Sequence, residues 1–204
     1  MLRFDHVIRA VPDLDAASNL LLAEQGLDSV AGGRHSGHGT ANRLVPLGHD
    51  YLELVAVVDP LEAAESPFGL WVGAHSSPGS LSGLCLRTWD IEAEGRRLDL
   101  APVAMSRTRP DGGELNWRLL GMDVGLEKGL PFFIEWDVDP QDHPGRLTAS
   151  HRVGPRRIAW VELGGDVRKI ERWLGPNDLN LRIVDGPPGV HRVGLATESG
   201  ELIF

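Results

Sequence analysis

The sequence predicts an α+β fold built from repeated βαβββ units, each a strand, a helix and three further strands. Two observations lead to this prediction. The same order of strand-like and helix-like segments recurs along the 204 residues. An aspartate also stands where each predicted helix begins, at Asp13, Asp90 and Asp166, which are 77 and 76 residues apart. A regular interval with the same element order indicates repeated supersecondary units.

The first predicted unit spans residues 1–58. Its opening strand, Leu2 to Ala10, alternates so that His6 lies on the apolar face. Leucines at helical spacing follow Asp13 and end at a glycine, which predicts a capped helix with a glycine stop. A glycine-rich stretch and two strand-like runs complete the unit. The last run, Tyr51 to Val58, is apolar on both faces and is therefore predicted to be buried.

Two polar residues stand where the first unit should carry apolar side chains: His6 on the opening strand and Glu53 inside the closing strand. A buried carboxylate is costly unless a metal ion, a basic group or a proton balances its charge. Either residue alone can have an ordinary hydrogen-bond partner in a structural core. Together they are the strongest functional lead in the sequence.

The second predicted unit, residues 81–138, follows a linker helix and a Ser-Pro-Gly stretch within residues 59–80. It repeats the order of the first unit, with a hairpin turn at Pro110-Asp-Gly-Gly113. Its closing strand, Leu130 to Trp136, again contains a glutamate inside an apolar run, Glu135. The two units and the linker are predicted to form one domain, residues 1–145.

A third βαβββ-like unit, residues 156–204, is predicted to pack on that domain. Its helix carries Val167, Ile170 and Leu174 on one stripe, and the stripe is expected to pack on the convex side of a sheet, as Leu14, Ala17 and Leu21 are in the first unit. Because the first two units can pair with each other, we expect the odd third unit to cover an exposed sheet edge or to join a homodimer interface.

Composition excludes several classes of partner. The formal charge of −9 and the pI near 5.3 give no basic surface for nucleic acid or an anionic membrane. No apolar run reaches the length that crosses a bilayer. Cys85 is the only cysteine, so an internal disulfide is impossible, and we expect a cytoplasmic protein whose one thiol is a small core residue.

Several motifs of the first 145 residues carry a family likeness. They are Phe4-Asp-His-Val-Ile-Arg-Ala-Val-Pro-Asp-Leu-Asp15, Gly33-Arg-His35, Gly39-Thr-Ala-Asn42, Tyr51-Leu-Glu-Leu54, Leu86-Arg-Thr88 with Asp90, Leu130-Pro-Phe-Phe-Ile-Glu-Trp136 and His143-Pro144. With them the chain resembles the vicinal-oxygen-chelate superfamily of glyoxalases, bleomycin-resistance proteins and extradiol dioxygenases, and within it the glyoxalase-like domain proteins. The resemblance implies that mixed and antiparallel sheets curve into a cup, with the helices outside.

The resemblance also implies a metal site. Such proteins hold a metal with a His on the first strand and a Glu on the last strand of each unit, or close variants. His6 and Glu53 match these places in the first unit, and Glu135 matches the last-strand place of the second, so all three are expected to converge on one divalent ion. The remaining place falls at about Gly83, which cannot be a ligand. The alternative is a lineage that lost its metal and kept the cup.

The expected substrate-binding residues are Arg34, His35, Asn42, Arg107 and Trp117. The first three lie where the resemblance is densest, and His35 or His38 can supply a further metal-ligating nitrogen. Arg107 is a candidate for an anionic substrate group, although such arginines are more often solvated or paired with a carboxylate. Trp117 is a candidate for an aromatic pocket wall, although core packing is the more frequent use of tryptophan.

Two functions remain open from the sequence. The first is a metal-dependent lyase, isomerase or dioxygenase that acts on a small oxygen-rich or carbonyl metabolite. In it the ion stabilises a developing enolate, and Glu53 or Glu135 moves a proton. The second is a non-catalytic module that sequesters a small ligand, as bleomycin-resistance relatives do. Because one fold hosts several chemistries, the likeness alone cannot separate the two.

Overall fold

The protein is described here from a computed structural model, which covers residues 1–77, 79–108 and 112–204. Residues 109–111 of the predicted hairpin turn and its approach lie outside the described residues. Within the described part the chain forms 12 strands and six α-helices. None of these helices has both the length and the apolar character needed to span a membrane.

The first unit has the predicted order. Asp13 caps its helix by accepting a hydrogen bond from the Ala16 amide, and Gly26 ends it with a positive φ of 69°. Its elements are β1 (Arg3–Ala10), α1 (Leu14–Gln25), β2 (Val30–His35), β3 (Thr40–Pro46) and β4 (Tyr51–Val57).

The linker contains two helices, α2 (Pro60–Ala64) and α3 (Pro67–His75), where the sequence predicted one. Asp59 and Ser66 each cap a helix that starts with a proline. Ser66 divides the predicted single helix into two, because its backbone is extended, with φ −121° and ψ 128°.

The second unit repeats the first, and Asp90 caps its first helix as predicted. A further short helix, α5, lies before the closing strand and was not predicted from the sequence. The elements are β5 (Gly83–Arg87), α4 (Ile91–Leu98), β6 (Val103–Thr108), β7 (Glu114–Leu120), α5 (Met122–Glu127) and β8 (Phe132–Trp136).

The two units share one eight-stranded sheet with the order β2-β3-β4-β1-β5-β8-β7-β6. The opening strands β1 and β5 lie antiparallel at its centre, and each pairs in parallel with the closing strand of its own unit. The edge strands β2 and β6 lie close to each other: the Arg107 guanidinium on β6 donates a hydrogen bond to the Gly32 carbonyl on β2. The sheet therefore curves into a nearly closed cup with helices outside, which confirms the predicted fold.

The C-terminal residues form a separate four-stranded sheet with the order β10-β9-β11-β12. Asp166 caps its helix as predicted, and Ile170 and Leu174 are buried, but Val167 is exposed, so the predicted stripe is wrong at that position. The elements are β9 (Pro155–Gly164), α6 (Val167–Leu174), β10 (Leu181–Val184), β11 (Gly189–Thr197) and β12 (Gly200–Ile203).

This small sheet packs on the outer face of the cup. Alternation places one set of side chains inside the cup and the next outside, and the outer set shares a single core with the small sheet. That core includes Val7, Leu52, Leu84 and Phe133 from the cup and Val161, Leu163, Val193 and Leu195 from the C-terminal strands. The third unit therefore covers an apolar face of the large sheet. The sequence analysis expected it to cover a sheet edge or to join a dimer interface.

Candidate functional site

The inside of the cup is a small cavity with a volume of about 70 Å³. Aromatic and aliphatic side chains make up most of its wall, and a few polar groups converge on it. Its lining residues are His6, Ile8, His35, His38, Tyr51, Glu53, Phe68, Met105, Arg107, Trp117, Leu119, Met122, Phe132, Ile134 and Trp136.

His6 reaches the cavity from the central strand β1, where alternation predicted it. Its Nδ1 atom lies 2.7 Å from Oδ1 of Asp5, so Nδ1 carries a proton and donates it to that carboxylate. Tyr51 stacks on the ring, with centroids 4.6 Å apart, and fixes its plane. The remaining nitrogen, Nε2, is thereby directed toward Glu53.

Asp5 is fully buried and was missed by the sequence reasoning, because simple alternation placed it on the face away from His6. A register shift in the pairing of β1 with β5 between Phe4 and His6 breaks that alternation. Besides His6, the carboxylate accepts hydrogen bonds from Nε of Arg87 (2.7 Å) and Nε1 of Trp136 (2.9 Å).

His143, from the loop after β8, is the fourth donor to Asp5. Its Nδ1 accepts the Gly145 amide (3.0 Å), so Nε2 carries the proton and donates to Oδ2 of Asp5 (3.1 Å). Burial lowers the pKa of His143 despite the carboxylate, which keeps the ring neutral. Burial would raise the pKa of Asp5, but the hydrogen bonds from His143 and His6 outweigh it and hold this pKa well below 3.8.

Glu53 enters the cavity from β4, beside His6 on β1. Its Oε2 lies 3.5 Å from Nε2 of His6, and its Oε1 accepts a hydrogen bond from Nδ2 of Asn42 (2.6 Å). Asn42 also lies 3.3 Å from Nε2 of His35, which in turn lies 3.8 Å from Oε1 of Glu53. The structure thus brings together four predicted residues, His6, His35, Asn42 and Glu53.

His35 is a neutral group in this site. Burial and, to a smaller extent, the nearby Arg107 charge lower its pKa to about 4 against the opposing effect of Glu53. Its Nδ1 lies 2.9 Å from Oγ1 of Thr40, which fixes the ring. His38 also lines the cavity, and its Nδ1 lies 2.7 Å from Oγ of Ser66.

Arg107 and Trp117 line the cavity as expected for substrate-binding residues. Arg107 is buried and joins the two edge strands through Gly32, so a guanidinium charge is fixed in the cavity wall. Trp117 packs against Trp136 with ring centroids 5.4 Å apart. Arg34 lies elsewhere: it is exposed and pairs with Asp59 and Glu62, so the structure does not bring it to the cup.

Glu135 does not join His6 and Glu53, and the predicted convergence of all three is wrong. Its Oε2 accepts the Ile91 amide at the start of α4 (2.7 Å) and lies 3.2 Å from Nη2 of Arg118, outside the cup. The reason is register. Tyr51 pairs with His6 and Phe132 pairs with Cys85, so the residue that matches Glu53 two positions later is Ile134.

The same register corrects the place assigned to Gly83. Cys85 is the residue paired with His6 across the central strands, whereas Gly83 pairs with Ile8. Asp5, Arg87 and His143 are the polar residues that the sequence reasoning did not assign to the site. Two signals were available in the sequence: the Asp5 carboxylate next to His6, and the histidine of the His143-Pro144 motif. Neither signal showed which side chain would be its hydrogen-bond partner.

The chain belongs to the glyoxalase-like domain family. The family described as glyoxalase-like domain matches residues 4–175, which is most of the protein and includes β9 and α6. Glyoxalase-like domains belong to the vicinal-oxygen-chelate superfamily, whose members often use a divalent metal ion. No curated protein matches the chain.

Solved structures share the fold of this glyoxalase-like protein at low sequence identity. A hypothetical protein from Staphylococcus aureus is 23% identical with a TM-score of 0.68, over 100% of this chain and 85% of that chain. A methylmalonyl-CoA epimerase in complex with methylmalonyl-CoA and NH4+ is 17% identical with a TM-score of 0.50, over 68% and 96%.

The donor groups fit a resident divalent ion poorly. Within the described residues, one set brings three potential ligand atoms within 4.8 Å of one another: Asp5, His6 and Cys85. Asp5 already accepts four hydrogen bonds, one of them from the Arg87 cation. Burial raises the pKa of the Cys85 thiol well above 9.0, so it stays protonated and is a poor ligand. In the cup itself, Ile134 stands at the last-strand place of the second unit, where the resemblance implied a glutamate ligand.

Proposed function

We propose that this protein binds a small carbonyl-bearing metabolite in the cup and transfers a proton at the carbon next to the carbonyl. Glu53 acts as the base and His6 as its acid-base partner. The observation that carries the proposal is the pair of facing acceptors, Nε2 of His6 and Oε2 of Glu53, 3.5 Å apart in an apolar cavity. Such groups are effective when hydrogen-bond reach and protonation state are both controlled.

Asp5 fixes the tautomer of His6. Because Nδ1 donates to Asp5, Nε2 is the ring nitrogen that faces Oε2 of Glu53, 3.5 Å away. In the proposed function a proton passes between this nitrogen and the carboxylate. This is the arrangement that an acid-base pair needs.

The proposed step breaks a carbon-hydrogen bond of the substrate and forms an oxygen-hydrogen bond on Glu53. The electron pair of the broken bond forms a double bond to the carbonyl carbon, and the π pair of the carbonyl moves to its oxygen, so the substrate becomes an enolate. Arg107 supplies a fixed positive charge in the same cavity, and the wall of Phe132, Trp117 and Trp136 excludes water, so this charge acts in a low dielectric. Return of the proton to carbon, or loss of a neighbouring group, completes an isomerase or a lyase reaction.

Metal-dependent lyase, isomerase or dioxygenase chemistry is the version that family membership suggests. No step of the present proposal passes through a metal, because the second-unit ligand places hold Cys85 and Ile134. His6 and Glu53 remain the residues that would hold an ion if one enters the cup.

Hydrogen exchange tests the proposal. Short 2-oxo acids and acyl thioesters that raise the unfolding temperature are incubated with the protein in D2O, and deuterium at the carbon next to the carbonyl is followed by NMR. We expect exchange by the wild type and a loss of about 100-fold or more in Glu53→Gln. Glu135→Gln is the matched control, because that carboxylate lies outside the cup, and it should exchange normally.

The second candidate is a binding module without catalysis, and the mostly aromatic and aliphatic wall favours it. In that function, bound compounds show no exchange above the solvent rate, and Glu53→Gln changes affinity alone. That result would replace the proton-transfer proposal.

A further inference from the structure

A second cavity lies on the other side of the large sheet from the cup. We call it the α1 cavity; its volume is about 290 Å³, and its wall includes Arg9, Val11, Ala17, Leu21, Leu54 and Phe204. Its wall combines α1 and two central strands of the first unit with the C-terminal Phe204, whose backbone pairs with Val193 of β11. The C-terminal unit is therefore needed to complete it.

Arg9 is the unexplained polar group of this cavity. Its Nε atom is buried and makes no hydrogen bond within the described chain. No carboxylate of the described residues lies within 4.0 Å of its guanidinium, and the Phe204 ring centroid lies 5.6 Å from its Cζ atom. Burial lowers the pKa of Arg9 from 12.5. A partly buried guanidinium without an anion is costly, and the cost falls when an anion arrives.

We propose that the α1 cavity binds a small monocarboxylate with an apolar tail, with the carboxylate on Arg9 and the tail against Ala17, Leu21 and Leu54. A carboxylate matches the planar fork of a guanidinium with two parallel hydrogen bonds. The apolar wall matches a hydrocarbon chain or ring. The site is independent of the cup and of the chemistry proposed there.

The acidic lining residues restrict the ligand to one negative charge. Asp13 and Glu24 also line the cavity, and Asp13 is held at the start of α1 by its bond from the Ala16 amide. A second carboxylate on the ligand would lie near these groups and would be repelled. The α1 cavity therefore selects hexanoate over adipate, which has the same chain length and one more charge.

Calorimetric titration with hexanoate tests the site. We expect one hexanoate site in the wild type, binding about tenfold or more weaker in Arg9→Gln, and unchanged binding in Arg3→Gln. Arg3 is the matched control because it is an exposed arginine on the same strand, near Trp89. Ala17→Phe, which keeps Arg9 and fills the cavity, should also abolish binding, and circular dichroism confirms that each variant is folded.

Variants of the cup separate the two sites. Arg107→Gln should leave the hexanoate site intact, because Arg107 lies on the other side of the sheet. The proposal is overturned if hexanoate does not bind the wild type, if Arg9→Gln binds it as tightly as the wild type does, or if adipate binds equally well. Loss of the site in Arg107→Gln with retention in Arg9→Gln would move the ligand to the cup and overturn it as well.

Discussion

The Nε2 atom of His6 lies 3.5 Å from Oε2 of Glu53, although the two residues are 47 positions apart in the chain. They meet because β1 and β4 are parallel neighbours, and Ile8 pairs with Glu53 in their register. Both side chains then lie on the inner face of the cup. Nδ1 of His6 donates to Asp5, so Nε2 is the ring nitrogen that faces Glu53.

A chelator should not change the thermal stability of this protein. The reason is that Cys85 and Ile134 stand at the second-unit ligand places, and Asp5 has its lone pairs occupied. We expect equal unfolding temperatures with and without a strong chelator for the wild type and for Glu53→Gln, and no stoichiometric metal in protein purified without added ions. A chelator-sensitive wild type beside an insensitive Glu53→Gln would instead establish a metal on Glu53.

Asp5→Asn should destabilise the protein by roughly 3 to 5 kcal/mol, because it leaves the Arg87 cation facing an uncharged partner in a buried network. Chemical denaturation at pH 7 measures the loss. Asp15→Asn removes an exposed partner of Arg43 and serves as the control, with an expected effect of about 1 kcal/mol or less. Equal losses in the two variants would contradict the role given to the Asp5 network.

Acid should act on the same network. The pKa of Asp5 is held well below 3.8 in the folded protein by its hydrogen bonds from His143 and His6, against the effect of burial. The stabilisation is therefore complete above pH 3.8 and is lost as the pH falls below it toward the folded-state pKa. Denaturation curves are measured at several pH values from about 2 to about 6. The free energy of unfolding should fall more steeply with decreasing pH in the wild type than in Asp5→Asn.

Asp50 should have the opposite pH dependence. Burial raises its pKa to about 7, although the Ile158 amide donates to both carboxylate oxygens. Between pH 3.8 and about 7 the folded protein holds a proton that the unfolded chain has lost, so stability falls as the pH rises, by up to about 1.4 kcal/mol per unit. Asp50→Asn should remove this slope while its amide oxygen still accepts from Ile158. An unchanged slope would show that Asp50 is ionised in the folded protein.

Deletion of residues 157–204 should give an aggregating or unfolded protein. The deletion removes Val161, Leu163, Val193 and Leu195 and leaves the apolar outer face of the cup in water. Gel filtration and circular dichroism measure the outcome. Asp166→Ala, which loses only a helix cap, is the control and should stay folded with a cost of about 1 kcal/mol. A soluble and cooperatively folding truncation product would contradict this account.

Local sequence determined the helices and the overall repeat. Asp13, Asp90 and Asp166 each begin a helix, because capping depends on one side chain and the amides two or three residues after it. Alternation on β1 and the apolar run of β4 likewise predicted that His6 and Glu53 are buried, and both are. These interactions lie within single elements, so a pattern in the sequence was enough to predict them.

Tertiary structure decided the rest of the site. Glu135 and Glu53 look equivalent in sequence, yet a one-residue difference in strand register turns Glu135 outward to Ile91 and Arg118. Asp5 meets His143, 138 positions away, only because the loop after β8 returns to the central strand. Register and loop return are set by packing between elements, and a single sequence carries no local signal for either.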